Sequence, residues 1–112
     1  MRKAAEYLCG THDFKSFCGN KKMKKSTVRT ISRIQIKELP GEIQIYYTGN
    51  GFLQNMVRIL TGTLIEIGDG RITPEDVSEI LEAKNRERAG YTAPACGLTL
   101  LEVIYGKMVC NK

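Results

Sequence analysis

The stretch Asn50-Gly-Phe-Leu-Gln-Asn-Met-Val-Arg-Ile-Leu-Thr-Gly-Thr-Leu-Ile-Glu-Ile-Gly68 predicts a glycine-containing turn followed by an amphipathic helix. Its apolar residues recur at helical spacing and define a face for burial: Leu53, Met56, Val57, Leu60, Leu64 and Ile67. At about 100° per residue, Arg58 lies roughly 140° from Leu53, so it points away from the centre of that face. Taken alone, this helix favours an ordinary exposed arginine.

A second face of the same helix carries Asn55, Arg58, Gly62 and Glu66. Glycine inside a helix costs up to about 1 kcal/mol relative to alanine. Gly62 therefore predicts that another part of the structure approaches the helix closely at this point.

The segments around this helix predict an α+β domain. Residues 28–39 and 42–48 alternate apolar and polar side chains on either side of Pro40-Gly41, which predicts an antiparallel hairpin. Residues 98–105 are apolar on both faces, so we expect one strand in the centre of a sheet. Helices are predicted over residues 2–8 and 73–83. The expected fold is an antiparallel or mixed sheet with helices packed on one face.

Two aromatic residues, Phe14 and Phe17, are spaced as in a single helical turn that would place both in the core. The neighbouring His12 is the chain's one histidine, and we interpret it as a surface or capping residue.

Composition restricts the classes of function. The 112 residues suffice for one core, and the net charge of +5 favours an anionic partner. No apolar run approaches the roughly 20 residues that span a bilayer, and no signal peptide is visible. The four cysteines lack CxxC spacing, so we expect no metal site and instead buried or free thiols in the cytoplasm.

No acidic residue occurs between Asp13 and Glu38, whereas this region is rich in basic ones. Such a block neutralises phosphates and favours nucleic-acid binding, but lysine runs also occur as solvated loops. Both interpretations stay open. The candidate nucleic-acid-binding residues are Lys21, Lys22, Lys24, Lys25, Arg29 and Arg33.

Several spaced motifs occur together and in order: Gly10-x-His-Asp-Phe-x-Ser-Phe17, Val28-Arg-Thr-Ile31, Gly49-Asn-Gly-Phe-Leu-x-x-Met-Val-Arg58, Gly62 and Thr92-Ala-Pro-Ala-x-Gly-Leu-x-Leu100. Over nearly the whole chain this resembles the C-terminal half of TruA-type tRNA pseudouridine synthases, so we expect residues 1–112 to form one such domain. The family often has Asn-Ile-Val-Gly where this chain has Ile59-Leu-Thr-Gly62.

The resemblance implies half of a pseudouridine synthase catalytic fold, acting on uridines of the tRNA anticodon stem-loop without a metal or cofactor. Arg58 matches the basic residue that pairs with the catalytic aspartate, and Phe52, Met56, Val57 and Leu98 match apolar positions that wall the cleft. The aspartate belongs to a Gly-Arg-Thr-Asp-Ala-Gly motif in an N-terminal half, and these 112 residues do not contain it. We therefore expect an inactive fragment that needs the N-terminal half as its partner.

The resemblance further implies a cytoplasmic homodimer that binds tRNA across both subunits. We also expect Gly62 to pack against the N-terminal half, and the isolated chain to self-associate. The alternatives are a stand-alone RNA-binding module without catalysis, and a domain that mediates protein contacts only.

Overall fold

The structure is a computed structural model that describes residues 2–19, 26–40, 42–49, 51, 53, 55–93, 98–102 and 105–111. For Glu42 and for the residues after 93, the description covers the backbone alone. The helices are α1 (Arg2–Leu8), α2 (Met56–Gly68) and α3 (Asp76–Ala83), with 3-10 turns at Lys15–Phe17 and Arg86–Arg88. The strands are β1 (Gly10–Asp13), β2 (Val28–Leu39), β3 (Glu42–Gly49), β4 (Leu98–Glu102) and β5 (Tyr105–Asn111).

Within the described ranges, five strands form one antiparallel sheet in the order β1-β2-β3-β5-β4. The predicted hairpin is confirmed as β2 and β3, which pair from Ile31 opposite Gly49 to Leu39 opposite Glu42. Strand β1 was not predicted. It has only four residues, and it owes its extended form to pairing with the first residues of β2 rather than to its own composition.

The prediction of one central strand over residues 98–105 is wrong. The chain forms a hairpin here, in which β4 is the edge strand and β5 lies between β3 and β4. A run that is apolar on both faces indicates a strand, but it does not fix which of two adjoining strands takes the inner position.

The helices pack on one face of the sheet, which confirms the predicted α+β architecture. Ile36, Ile45 and Tyr47 of the sheet share a continuous core with apolar residues of all three helices. Tyr47 is fully buried, and its hydroxyl hydrogen-bonds Thr61 Oγ1 of α2 at 2.7 Å. The predicted buried face of α2 is confirmed, because all six of its residues are buried: Leu53, Met56, Val57, Leu60, Leu64 and Ile67.

A bulge in β2 changes which side chains face the helices. The register with β3 shifts between Ile31 and Arg33, so Ser32 is an extra residue in β2. Ile31 is therefore buried, as is Ile36 beyond the bulge, whereas Arg33 lies on the opposite, polar face of the sheet. Arg29, two residues before Ile31, belongs to the helix-bearing face.

The remaining predicted elements are present, but α3 begins three residues later than the predicted start at Thr73. Phe14 precedes the first 3-10 turn and Phe17 ends it; both are fully buried, with ring centroids 6.2 Å apart. Helix α3 begins at Asp76, whose Oδ2 accepts a hydrogen bond from the Thr73 backbone N–H at 3.1 Å. Among the described residues, no helix has both the length and the apolar character required to cross a membrane.

Candidate active site

A tight turn positions Arg58 in the first turn of α2. Asn55 directly before the helix has a left-handed backbone with φ of 58°, and Gly51 has φ of 142°. Glycine and asparagine adopt positive φ more readily than other residues. The backbone N–H of Met56 closes the turn by donating to the Leu53 carbonyl at 3.0 Å. Arg58 therefore follows a sharp change of chain direction.

The Arg58 side chain is half-buried and held by its own chain. Its Nε donates to the Ala93 carbonyl at 2.7 Å, and its Nη1 donates to Asn55 Oδ1 at 3.1 Å. The Arg58 carbonyl in turn accepts the Ala93 backbone N–H at 3.0 Å. This geometry overturns the interpretation of an ordinary exposed arginine. Within the described part of the chain, Nη2 makes no hydrogen bond, so end-on donors remain for an anion.

Gly62 lies four residues after Arg58, and the predicted close approach at this position is confirmed. A Cβ built there would overlap the Tyr91 carbonyl oxygen and lie 2.8 Å from its carbon. The approaching group is thus the loop of this chain itself, which corrects the expectation of packing against an N-terminal half. The second glycine of the contact is Gly90, where an added Cβ would lie 2.7 Å from Thr63 Cα.

Three of the predicted wall residues lie within six positions of Arg58 in the sequence, whereas Leu98 follows 40 positions later. Met56 and Val57 are buried in the core, at 0% and 6% exposure, so they support the base of α2 from inside. Phe52 lies outside the described residues. Leu98 is the first residue of β4, and its side chain is not described. The role of these four residues stays a prediction.

The structure separates two of the predicted RNA-binding residues. Arg33 is exposed on the polar sheet face, where Lys37 Nζ lies 5.3 Å from the centroid of the Tyr46 ring. Arg29 is half-buried on the other face, and its Nη1 donates to the Ser26 carbonyl at 2.8 Å. The remaining candidates lie outside the described residues: Lys21, Lys22, Lys24 and Lys25.

Sequence reasoning missed the residues that hold the loop before Ala93. Arg86 donates from Nη1 to the Gly90 carbonyl at 2.8 Å and from Nη2 to Thr92 Oγ1 at 3.0 Å. Thr63 Oγ1 accepts the Gly90 N–H at 2.9 Å. Arg86 stands in a charged segment that looks like a solvated loop, and no local pattern distinguishes it from its neighbour Arg88.

His12 and Cys9 make contacts that stabilise the fold at the end of α1. His12 Nε2 hydrogen-bonds the Cys9 carbonyl at 2.9 Å, and its ring packs edge-on against Phe14 at 5.6 Å. This fits the predicted capping role, since Cys9 directly follows α1. Burial raises the pKa of the Cys9 thiol. Neither Cys9 nor Cys18 forms a disulfide, and the described residues include no group of three or more His, Cys, Asp or Glu placed to hold a metal.

Comparison with known proteins assigns the family. A family model described as tRNA pseudouridine synthase matches residues 4–106. The chain therefore belongs to the tRNA pseudouridine synthase family. Proteins named tRNA pseudouridine synthase A are 50% identical in Brevibacillus brevis and 51% identical in Bacillus subtilis, each over 105 residues.

A further relative of the same type, tRNA pseudouridine synthase A 1 of Bacillus cereus, is also 51% identical over 105 residues. The matched region covers 94% of this chain but only 42% to 43% of these three relatives. The chain thus spans less than half the length of the curated relatives it matches.

Proposed function

We propose that this chain is the C-terminal half of an enzyme that converts uridine to pseudouridine in the anticodon stem-loop of tRNA. In this proposal Arg58 enters the active site and pairs with a catalytic aspartate carried by an N-terminal half. The observation that carries the proposal is the Arg58 guanidinium, which is fixed by Ala93 and Asn55 and retains end-on donors. The family membership and the ordered motifs support it.

An arginine suits this role for electrostatic reasons. Its guanidinium stays charged at all physiological pH values and can hold a carboxylate with two parallel N–H donors. With Nε bound to Ala93 and one Nη1 hydrogen bound to Asn55, one hydrogen of Nη1 and those of Nη2 remain for a carboxylate. The contact would keep the aspartate ionised, as a nucleophile requires.

The reaction also requires a place for the target base. Pseudouridine formation detaches uracil from the ribose and rejoins it through carbon, so the base must leave the helical stack and enter a pocket. We propose that Phe52, Met56, Val57 and Leu98 form or support the apolar wall of this pocket. Exclusion of water there would strengthen the pairing between Arg58 and the aspartate.

Backbone phosphates of the tRNA are the proposed ligands of the basic residues. Arg33 and Lys37 are exposed on the polar sheet face next to Tyr46, which offers charge and an aromatic surface together. The lysines of the 21–25 segment and Arg29 would add further positive charge. As further parts of this proposal, the complete enzyme is a cytoplasmic homodimer and uses no cofactor.

The test uses the complete enzyme, with this chain joined to the N-terminal half, and measures pseudouridine formation in an anticodon stem-loop transcript. We expect Arg58→Lys to lower kcat by about 100-fold, the scale seen when one preorganised active-site donor is removed. Binding of the transcript should be unchanged. Arg71→Ala, at an exposed arginine just after α2, is the matched control.

Full activity of Arg58→Lys would overturn the proposed role of Arg58. The 112-residue chain alone should form no pseudouridine, because it lacks the Gly-Arg-Thr-Asp-Ala-Gly motif. Activity of the isolated chain would contradict the division of the site between two halves.

The second candidate function is a stand-alone RNA-binding module, which is favoured by the net charge of +5 and the exposed basic sheet face. It predicts salt-dependent tRNA binding by the isolated chain. It also predicts that joining an N-terminal half restores no pseudouridine formation.

A further inference from the structure

A short loop segment connects Arg86 with Arg58. The segment, residues 90–93, runs along α2 and ends at Ala93, whose carbonyl accepts from Arg58 Nε. We propose that Arg86 is a positioning residue for Arg58: it braces this segment so that Ala93 fixes the Arg58 guanidinium. This inference rests on the proposed function of Arg58.

On one side, residues 90–93 are held by the planar guanidinium of Arg86. One terminal nitrogen donates to the Gly90 carbonyl at 2.8 Å, and the other donates to Thr92 Oγ1 at 3.0 Å. The two contacts lie on either side of Tyr91, so the segment is held at two points. A lysine would keep the charge, but its single ammonium lacks the planar fork that reaches both acceptors.

On the other side, residues 90–93 pack against α2. Thr63 Oγ1 accepts the Gly90 N–H at 2.9 Å and donates to the Ile59 carbonyl at 2.8 Å. Gly62 allows the Tyr91 carbonyl to lie directly against the helix. The segment is therefore held between Arg86 and α2, and Ala93 is its last residue.

Both contacts between Ala93 and Arg58 depend on this clamp. The Ala93 N–H donates to the Arg58 carbonyl at 3.0 Å, and the Ala93 carbonyl accepts from Arg58 Nε at 2.7 Å. All of these contacts lie within one chain, so the guanidinium is oriented before a carboxylate arrives. Such preorganisation lowers the activation barrier, because the charged group does not reorient during the reaction.

The experiment compares Arg86→Lys with Arg88→Lys in the complete enzyme. Arg88 is exposed in the same 3-10 turn, so it controls for loss of an arginine from this surface. We expect Arg86→Lys to lower kcat by about 10-fold with little change in KM for the transcript, whereas Arg88→Lys leaves both unchanged. Equal effects of the two substitutions, or an effect on KM alone, would overturn the inference.

A double substitution separates positioning from a general structural role. If Arg86 acts through Arg58, adding Arg86→Lys to Arg58→Lys lowers the residual single-turnover rate no further. A further 10-fold loss in that background would show that Arg86 acts elsewhere and would overturn the inference. If Arg86→Lys fails to fold, Thr92→Val takes its place, because it removes one of the two acceptors of Arg86. Thr92→Val should lower kcat with little change in KM. A wild-type kcat for Thr92→Val would then overturn the inference.

The two proposals fail differently. Absence of pseudouridine formation by the complete enzyme would refute the proposed function, and wild-type kcat for Arg58→Lys would refute the proposed role of Arg58. A strong loss for Arg58→Lys with wild-type kcat for Arg86→Lys would refute only the positioning role.

Discussion

Substitution of Gly62 by alanine tests the contact between α2 and the loop that ends at Ala93. The added methyl would overlap the Tyr91 carbonyl oxygen and lie 2.8 Å from the carbonyl carbon. Because non-bonded carbon atoms prefer about 3.5–4.0 Å, the loop must move away by roughly 1 Å or more. Neither atom belongs to a flexible side chain that could turn aside.

The size of the effect follows from the hydrogen bonds that this movement breaks. The Ala93 N–H bond to the Arg58 carbonyl contributes about 1 kcal/mol, and the charged bond from Arg58 Nε contributes about 1.5–3 kcal/mol. Alanine in a helix interior gains back about 1 kcal/mol relative to glycine. We therefore expect Gly62→Ala to lower the free energy of unfolding by about 1.5–3 kcal/mol.

The assay is urea unfolding of the 112-residue chain followed by far-UV circular dichroism. Gly68→Ala is the control, because Gly68 is the exposed last residue of the same helix and its φ is not positive. This control should be neutral or slightly stabilising. A Gly62→Ala protein as stable as the wild type would show that the loop does not press on the helix, and the reasoning would be wrong.

Three further predictions concern separate features. Thr63→Val leaves the buried Gly90 N–H without its acceptor, so the free energy of unfolding should fall by about 1–3 kcal/mol in the same urea assay; an unchanged midpoint would contradict this. Cys9 should react with iodoacetamide more slowly at pH 8 than a cysteine in a short peptide, because its raised pKa leaves less thiolate. The rate should approach that of the peptide as the pH rises. Equal rates at pH 8, measured by peptide mass spectrometry, would refute this prediction. Arg33→Ala should reduce the slope of log K against log salt for tRNA binding by about one unit, whereas Arg71→Ala should not; equal slopes in filter binding would contradict a phosphate contact at Arg33.

Periodic patterns in the sequence predicted the elements that carry the fold. The apolar stripe of α2 and the alternation in β2 and β3 are local signals, because each residue's burial follows from its own helix or strand. The same logic placed Phe14 and Phe17 in the core. These predictions succeeded because helical and strand periodicity is visible in residues that are close together in the sequence.

The contacts that define the candidate site were less predictable. Gly62 indicated a close approach but not that Tyr91, 29 residues later in the printed sequence, supplies it. Arg86 gave no signal, since its role depends on acceptors that only the folded loop brings together. The bulge at Ser32, which separates Arg29 from Arg33, is likewise visible only in the pairing register. Contacts between distant segments leave no trace in local periodicity.

The long separation between Arg58 and Ala93 has a consequence for how the protein is made. Strands β2 and β3 are joined by a short turn and can pair as soon as both have left the ribosome. Arg58 leaves early as part of α2, but its anchoring carbonyl follows 35 residues later. Ser16 likewise leaves the ribosome before its hydrogen-bond partner Asn85, which lies 69 residues later in the sequence. We therefore expect a nascent chain to contain helix and hairpin first, and to acquire an ordered arginine only when translation has passed Ala93.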